Sequence, residues 1–236
     1  MSERLDEYRA KRDFDRTDEP SGTVEVPPGD GPPRFVIQHH QASSEHWDFR
    51  LEDDGLLLSW AVPKGPSTDP SDKRLAVRTE DHPLDYIDFE GTIPAGEYGG
   101  GAVIVWDVGT WEHLTTDDDG RPMRVADAVD HGHVSFRLAG QKLAGGYTLQ
   151  RFRPADDQWL LIKRDDDDAD ARRRPTSTQP ESVLSGYTVE EVAALMDDTG
   201  SQGDAGSTAD DAQQDDDAQQ DDDAQQDDDA QQDDDA

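Results

Sequence analysis

The chain has 236 residues, of which 56 are acidic and only 22 are basic. It contains no cysteine, which excludes disulfides and thiolate metal sites. The first 20 residues are charged and no apolar run approaches the length of a membrane span, so neither a signal peptide nor a transmembrane helix is predicted. We therefore expect a cytoplasmic protein without a membrane partner.

The excess of acidic residues extends beyond the C-terminal part of the chain. Residues 1–174 hold 36 acidic residues and all 22 basic residues, a net charge of −14. Such a charge argues against a nucleic-acid partner, because phosphate binding depends on Lys and Arg. The same composition is typical of halophilic proteins, whose charge maintains their solubility in salt-accumulating cells. At molar salt the Debye length is about 3 Å, so local arginines can still hold a phosphate.

Residues 1–33 form a polar N-terminal segment, and residues 34–164 show a strand-like pattern. The strands are short, are separated by Gly, Pro and Asp, and have no long amphipathic helix between them. This pattern predicts an all-β fold, either an antiparallel barrel or a sandwich. The predicted strands are 34–40, 46–52, 55–62, 74–79, 101–107, 109–114, 132–138, 146–152 and 158–163.

The composition changes after residue 164. Residues 165–199 are predicted to form a charged linker with a short helix over 184–196. Such a helix can dock on a partner, but we expect it to pack on its own domain or to fray. Residues 200–236 contain a DDDAQQ repeat and predict a disordered acidic tail. The helix is indicated by a capping box of Thr188 and Glu191 and by an apolar face of Val189, Val192, Leu195 and Met196.

Three histidines lie close together in the stretch HHQASSEHWDFR, residues 39–50. Alternate residues of a strand share a face, so His46, Asp48 and Arg50 are predicted to lie opposite an apolar core face. A histidine and a carboxylate two residues apart can bind one divalent metal at about 2.0–2.2 Å, and His40 adds a third ligand if the intervening turn folds back. Two histidines and one carboxylate leave coordination positions open, as in catalytic sites. Arg50 suits a phosphate or carboxylate bound beside the metal.

Two enzyme classes fit this cluster. One is a phosphoryl-transfer enzyme, and the other is a non-haem Fe(II) oxygenase in which His131 or His133 is the distant ligand and Arg137 binds an oxoacid. Basic residues that accumulate in segment 59–101 favour phosphate chemistry. His82 precedes a proline, is expected at a strand end, and suits a general acid or a phosphate ligand. The segment also carries Lys64, Arg74, Arg78 and Tyr86.

From about Tyr8 to Arg164 the chain resembles the 3′-phosphoesterase domain of bacterial ligase D, an enzyme of non-homologous end joining, and its stand-alone archaeal relatives. The similarity is carried by four stretches in the same order: YRAKRDFDRTDEPSG, FVIQHHQASSEHWDFRLEDDGLLLSWAVPKGP, DKRLAVRTEDHPLDYIDFEGTIPAGEYGGG and VIVWDVGTW. The resemblance implies a β-barrel with a crescent-shaped active-site groove, against which the N-terminal segment folds. Together with the acidic composition, it indicates a stand-alone, haloarchaeal version of the family.

The resemblance further implies a manganese-dependent enzyme, although another divalent transition metal also suits the ligands. Such an enzyme removes a 3′-terminal ribonucleoside from a DNA or RNA primer end and then removes the remaining 3′-phosphate, leaving a 3′-OH for repair. A DNA ligase or a polymerase acting in trans is the implied partner. A module that binds 3′ ends without processing them is the non-enzymatic alternative.

Roles at matching positions also follow from the resemblance. His39 is set apart from its neighbour His40, because alternation places the two side chains on opposite faces of the strand. The stretch between the first two metal histidines is commonly rich in arginine in the family, whereas this chain has QASSE there. The implied site residues are His40, His46 and Asp48 as metal ligands; Arg50, Glu80, His82 and Tyr86 as catalytic residues; and Arg12, Asp13, Glu19, Lys64 and Arg74 as substrate-binding residues.

Overall fold

The computed structural model describes residues 3–23, 31–153, 155 and 157–200. Within these residues ten strands form one antiparallel sheet, and eight of them close it into a barrel. The predicted all-β barrel is therefore confirmed, whereas the acidic tail beyond residue 200 lies outside the described residues. The strands are β1 (Arg34–Gln41), β2 (Glu45–Asp53), β3 (Leu56–Val62), β4 (Lys73–Arg78), β5 (His82–Pro83), β6 (Gly91–Ile93), β7 (Gly101–His113), β8 (His133–Gly140), β9 (Ala144–Arg153) and β10 (Gln158–Lys163).

The barrel closes because β7 pairs with β1. The strand order is β1-β2-β3-β4-β10-β9-β8-β7, and the β7–β1 pairing completes the circuit, so no strand of the barrel is left as an open edge. Strand β5 pairs with β3, and β6 pairs with β7. Of the helices described, none combines the length and apolar character of a membrane span. They are α1 (Asp6–Ala10), α2 (Val125–His131), α3 (Pro175–Thr178), α4 (Val189–Gly200) and two 3₁₀ helices, Glu3–Leu5 and Leu84–Asp88.

The main difference from the predicted strands lies in β7. Two strands were predicted, 101–107 and 109–114, whereas Gly101–His113 is one continuous strand. Gly109 does not interrupt it. A β-carbon at this position would lie 2.1 Å from the Ala139 carbonyl oxygen, so glycine permits the close approach of β8. Strands β5 and β6 and helix α2 were not predicted, because each is too short to show a hydrophobic period.

Alternate residues of the strands fill the barrel interior. Strand β2 contributes Trp47, Phe49 and Leu51, which are buried in one cluster with Trp60 and Trp106. The predicted core face of β2 is thus confirmed, and the intervening polar residues lie on the outer face. Burial of each such side chain contributes roughly 1.5–3 kcal/mol. A slip by one residue would expose the whole set, so the register of β2 is strongly fixed.

The N-terminal segment packs on the outside of the barrel. Leu5 and Tyr8 are buried in a second apolar cluster with Val36 of β1 and Tyr86 of the second 3₁₀ helix. Val36 is directly opposite Arg50 in the β1–β2 pair. The segment therefore lies beside the polar outer face of β2, where the metal ligands were predicted.

Residues 165–199, predicted as a charged linker with a short helix, lie against the barrel over much of their length. Trp106 Nε1 donates a hydrogen bond to the Gln179 carbonyl over 2.8 Å. The Val183 amide donates to the Val105 carbonyl over 2.9 Å. These contacts use the backbone of the segment, which is why its charged side chains gave no indication of them.

Helix α4 begins with the predicted capping box, although not at residue 184. The Glu191 amide donates to Thr188 Oγ1 over 3.3 Å, and the Thr188 amide donates to Glu191 Oε2 over 2.8 Å. Val189 is fully buried against β7, so the helix packs on its own domain as expected. The predicted apolar face is incomplete, since Leu195 is 58% exposed.

Candidate active site

The β1–β2 hairpin aligns polar residues of two neighbouring strands on the outer face of the barrel. His40 is directly opposite His46, and Gln38 is directly opposite Asp48. Opposite residues of an antiparallel pair point to the same side of the sheet. The turn over residues 42–44 thus folds the chain back as the metal prediction required. The face opens into a cavity of about 260 Å³ whose lining includes Arg12, His40, His46, Asp48, Arg50, Glu80, His82 and Tyr86.

His40, His46 and Asp48 each place a ligand atom within 4.8 Å of the other two. His40 Nδ1 lies 3.5 Å from Asp48 Oδ2, and His46 Nε2 lies 3.7 Å from Asp48 Oδ1. Atoms bound to one metal at about 2.0–2.2 Å lie about 3–3.5 Å from each other. The three side chains therefore need only small movements to share one metal ion.

The other ring nitrogen of each histidine faces a backbone carbonyl. His40 Nε2 lies 2.7 Å from the Gly99 oxygen, and His46 Nδ1 lies 2.9 Å from the Ser44 oxygen. Because a carbonyl only accepts, these outer nitrogens carry the protons of the neutral rings, and the lone pairs of the inner nitrogens face Asp48. Lone pairs directed at a carboxylate are favourable when a cation lies between them, and outer hydrogen bonds of this kind are typical of metal-binding histidines. The donor set therefore fits a divalent metal.

The loop that supplies the Gly99 carbonyl depends on glycine. Gly99 has a φ of 76°, in the left-handed region. At Gly101 a β-carbon would lie 2.1 Å from the Gln41 carbonyl oxygen. The glycine run thus lets the loop pass over the end of β1 and reach His40. Nothing in the sequence indicated this contact with His40, a predicted metal ligand.

Asp48 is held ionised at the centre of the cluster. Burial opposes its ionisation, but the charge of the Arg50 guanidinium, the strongest of the opposing influences, holds the pKa of Asp48 well below its usual range. Arg50 Nη2 lies 3.1 Å from Asp48 Oδ2. The carboxylate is therefore available as an anionic ligand throughout the physiological pH range.

Arg50 is 3% exposed and is fixed by three neighbours. Its Nε donates to Gln38 Oε1 and its Nη1 donates to Ser59 Oγ, each over 2.8 Å, while Nη2 pairs with Asp48. A guanidinium has five N–H groups. At least two therefore have no partner among the described residues. The cavity thus contains a buried, oriented cation with N–H groups left for an oxyanion such as phosphate.

His82 is held in a neutral form. Its Nδ1 donates to the Glu80 carbonyl over 2.9 Å, which leaves Nε2 as an acceptor 3.3 Å from Arg12 Nη2. Burial, followed by the charges of Arg50 and Arg12, lowers the pKa of His82 well below its usual value. The sequence suggested a general acid or a phosphate ligand. The neutral ring offers a lone pair instead, so it suits a proton acceptor.

Arg12 connects the N-terminal segment to the cavity. Its Nε lies 2.9 Å from Glu19 Oε1, and its Nη1 lies 3.1 Å from Glu80 Oε1. Glu19 also accepts a hydrogen bond from Tyr86 Oη over 3.0 Å. Burial opposes ionisation of Glu80, but hydrogen bonds from Lys11 and Arg12 lower its pKa below the usual value. The two carboxylates thus hold Lys11 and Arg12 as cations at the cavity.

Tyr86 supports both Arg50 and Glu19. The guanidinium carbon of Arg50 lies 5.0 Å from the centre of the Tyr86 ring, a cation–π contact. Burial, followed by the charge of Glu19, raises the pKa of Tyr86 well above its usual value. Its hydroxyl therefore stays protonated and donates to Glu19.

Four of the five residues that the resemblance assigned to substrate binding do not line this cavity. Glu19 is buried behind it, in contact with Arg12 and Tyr86, and the other three lie farther out. Asp13 is exposed, and its Oδ1 accepts a hydrogen bond from the Asp15 amide over 3.2 Å. Lys64 and Arg74 line a separate depression, where Arg74 pairs with Asp72 over 2.7 Å. A role for these three residues in substrate binding stays a prediction.

His39 points away from the cavity, as strand alternation predicted. Its ring is stacked on Trp47 with a centroid distance of 4.2 Å and an interplanar angle of 1°. Its Nε2 lies 2.7 Å from Glu45 Oε1. His39 therefore belongs to the interior face of the barrel rather than to the metal cluster.

The alternative oxygenase ligands lie elsewhere. His131 ends helix α2, and the ring nitrogens of His133 face Gln150 and a serine hydroxyl at 2.7 and 3.0 Å. Arg137 pairs with Asp168 over 3.2 Å. Within the described part of the chain, the three-residue metal cluster comes entirely from β1 and β2. The distant histidine of the oxygenase hypothesis is therefore not needed to complete the ligand set.

Two buried residues of the site were not predicted, although the strand pattern could have indicated them. Gln38 shares the face of His40 by alternation, and Ser59 is directly opposite Arg50 in the β2–β3 pair. Both are fully buried. Tyr98, which lines the cavity, was not predicted either, because it comes from an irregular loop that has no periodic pattern.

Comparison with known proteins places this geometry in a family. Residues 38–151 match the family description DNA Ligase D 3′-phosphoesterase domain. The chain is 50% identical over 192 residues to the multifunctional non-homologous end joining protein LigD of Pseudomonas aeruginosa, covering 80% of this chain and 22% of that protein.

Two other proteins whose names include LigD are also similar to this chain. The identity is 46% over 160 residues to the protein of Mycobacterium bovis (68% of this chain, 20% of that protein) and 40% over 171 residues to the protein of Mycolicibacterium smegmatis (70% and 21%). The chain thus spans about a fifth of the length of the curated relatives it matches. With the family match and this identity, the chain belongs to the DNA ligase D 3′-phosphoesterase domain family.

Proposed function

We propose that this chain is a metal-dependent 3′-phosphoesterase that processes DNA or RNA primer ends in repair by non-homologous end joining. It removes a 3′-terminal ribonucleoside to leave a 3′-phosphate, and then removes that phosphate to leave a 3′-OH. The observation that carries the proposal is the position of Arg50. This buried cation has N–H groups to spare and lies 3.1 Å from Asp48, one of three residues that can share a metal.

A divalent metal held by His40, His46 and Asp48 supplies Lewis-acid stabilisation of the charge on a phosphate oxygen. Arg50 donates its remaining N–H groups to other oxygens of the same phosphate and so orients it in the cavity. Gln38 and Ser59 hold the guanidinium in place before the substrate arrives. Little reorganisation is then needed when negative charge develops during the reaction.

His82 is the proton acceptor and donor in this mechanism. In the phosphomonoesterase step a water oxygen bonds to phosphorus, and the bond between phosphorus and the 3′ oxygen breaks. The neutral His82 ring takes a proton from the water at Nε2 and returns it to the departing 3′ oxygen, so the products are a 3′-OH and inorganic phosphate. This assignment is supported by the accepting Nε2, which lies 3.3 Å from Arg12 in the free cavity.

We propose Mn²⁺ as the resident metal. Two imidazoles and one carboxylate suit several divalent transition metals, so the choice of manganese rests on the family resemblance. We further propose that the protein works in the cytoplasm of a halophilic cell and that a DNA ligase or polymerase acts on the 3′-OH it leaves.

An acidic protein that binds nucleic acid needs local positive charge at its site. The cations at the cavity are Lys11, Arg12 and Arg50, and although each is paired with a carboxylate, Arg50 keeps N–H groups for a phosphate. Residues 41–45, between the two histidines, contain no basic residue. At molar salt, charges more than about 3 Å apart are screened. Contacts within the cavity therefore matter more for binding than the net charge of −34.

The test is incubation of the purified protein in molar KCl with Mn²⁺ and a duplex primer that ends in one ribonucleotide or in a 3′-phosphate. We expect stepwise conversion to a 3′-OH end and its loss in EDTA. A primer that is bound but never shortened would refute the enzymatic proposal and favour a 3′-end-binding module. Metal-dependent consumption of 2-oxoglutarate with Fe(II) would refute it in favour of an oxygenase.

A further inference from the structure

The cavity has a wall that the proposed chemistry does not use. The floor of the cavity is charged and includes Asp48 and Arg50. The wall, in contrast, is uncharged and includes the buried Ile93 and the exposed Tyr98. Tyr98 precedes Gly99, whose carbonyl is 2.7 Å from His40 Nε2. An ideal β-carbon at Gly99 would lie 3.5 Å from the His40 ring. The Tyr98 ring therefore stands on the loop segment that contacts a metal ligand.

Tyr98 is exposed but anchored. It is 46% exposed, while Lys11 Nζ and Arg12 Cζ lie 4.9 and 5.3 Å from its ring centre. Its neighbour Glu97 pairs with Arg16 over 2.7 Å, which ties the loop to the N-terminal segment. An aromatic ring at a cavity rim, fixed by cation–π contacts and still accessible, can receive a planar ligand without first being ordered.

We propose that Tyr98 stacks on the nucleobase of the 3′-terminal nucleotide while its phosphate lies on the floor with Arg50. This inference rests on the proposed function, because it places a nucleic-acid end in the cavity. Every nucleobase has a π face, so stacking on Tyr98 would bind the 3′ end of the nucleic acid without selecting a sequence. It also supplies affinity that does not depend on phosphate charge, which suits an acidic protein in high salt.

The test compares two 3′-phosphate primers that differ only in the unpaired terminal nucleotide, which carries adenine in one and is an abasic tetrahydrofuran residue in the other. Binding is measured by fluorescence anisotropy in molar KCl, and phosphate release is measured separately with Mn²⁺. We expect Tyr98→Ala to weaken binding of the adenine end by about tenfold and that of the abasic end little. Tyr98→Phe should bind both ends as the wild type does, because stacking needs the ring and not the hydroxyl.

Two controls make the result specific. Tyr187→Ala removes a tyrosine that is 50% exposed on the C-terminal segment, and it should change neither affinity. The Mn²⁺ affinity of Tyr98→Ala should equal that of the wild type, which shows that the contact between Gly99 and His40 is intact.

An equal loss on both primers, or no loss on either, would overturn the stacking proposal. Failure of the proposed function gives a different result. If the wild type releases no phosphate but still prefers the adenine end in a Tyr98-dependent way, the enzymatic assignment fails and the stacking site stands.

Discussion

Gln38 Oε1 accepts a hydrogen bond from Arg50 Nε over 2.8 Å, between two side chains on neighbouring strands that are both almost completely buried. The amide nitrogen of Gln38 donates to the carbonyls of Tyr86 and Phe89 over 3.2 and 3.0 Å. Gln38 therefore cannot turn its amide without losing three hydrogen bonds. Its orientation fixes that of the guanidinium, and with it the N–H groups left for a phosphate.

Gln38→Met should disturb the orientation of the Arg50 guanidinium while leaving the arginine in place. Methionine has a similar length but cannot accept from Nε, so the guanidinium loses part of its orientation. Leaving buried groups unpaired costs roughly 1–3 kcal/mol, and we expect kcat/KM for the 3′-phosphate to fall by about tenfold or more. Mn²⁺ affinity should be retained, as measured by titration.

Gln41→Met is the matched control, since the Gln41 side chain is exposed at the end of the same strand. It should leave activity unchanged. If Gln38→Met keeps full activity, or loses activity only in proportion to lost metal affinity, the positioning role is wrong.

Asp48→Asn should abolish metal binding while keeping the shape of the side chain. The amide lacks the negative charge that the two inner histidine nitrogens face, and it leaves Arg50 Nη2 without its ionic partner. Electron paramagnetic resonance of free Mn²⁺ measures binding without any substrate. Asp54→Asn, in the exposed β2–β3 turn, is the control for the same chemical change. Wild-type Mn²⁺ binding by Asp48→Asn would show that the ligand assignment is mistaken.

Strand alternation and the short turn after β1 together indicated which side chains could form a metal cluster. A single period-two pattern in β2 separated His46, Asp48 and Arg50 from the core residues between them, and the short turn brought in His40. The same rule extends to Gln38 and was not applied to it. The alternation of apolar and polar residues thus determines which side chains lie on the outer face of the β1–β2 hairpin, because the apolar side must enter the core.

The rest of the site depends on contacts between distant parts of the chain. Arg12 reaches His82 from a segment 70 residues away, and the Gly99 carbonyl reaches His40 across 59 residues. Neither contact has a periodic pattern, and both follow from closure of the barrel and the packing of irregular segments on it. The packing of residues 165–199 could not be predicted for a similar reason, since backbone groups of a polar segment make many of its contacts.

Thr188→Ala should loosen helix α4. The alanine cannot accept from the Glu191 amide, and loss of such a cap costs about 1 kcal/mol. Hydrogen exchange of the first-turn amides of α4 should speed up by roughly fivefold, since 1.4 kcal/mol corresponds to tenfold. Thr188→Ser keeps the hydroxyl and should exchange like the wild type. Unchanged exchange in Thr188→Ala would mean that packing of Val189 alone holds the helix.

His82 should make the protein less stable as the pH falls below neutrality. Its pKa lies well below the usual value in the folded protein, whereas in the unfolded chain it is about 6.5. Between those two values the unfolded chain binds a proton that the folded protein does not. The stabilising contribution is therefore complete above pH 6.5 and is lost as the pH falls, by at most about 1.4 kcal/mol per pH unit.

His82→Gln removes this titration. In urea unfolding with EDTA between pH 7 and 5.5, the free energy of unfolding should fall less steeply for the variant than for the wild type. Burial also lowers the pKa values of His39 and His113, but these residues remain in both proteins, so the difference in slope isolates His82. The same substitution at His131, an exposed residue outside the cavity, is the matched control. Equal slopes for wild type and His82→Gln would mean that folding does not lower the pKa of His82, and the neutral ring on which the proton-acceptor role rests would then lose its support.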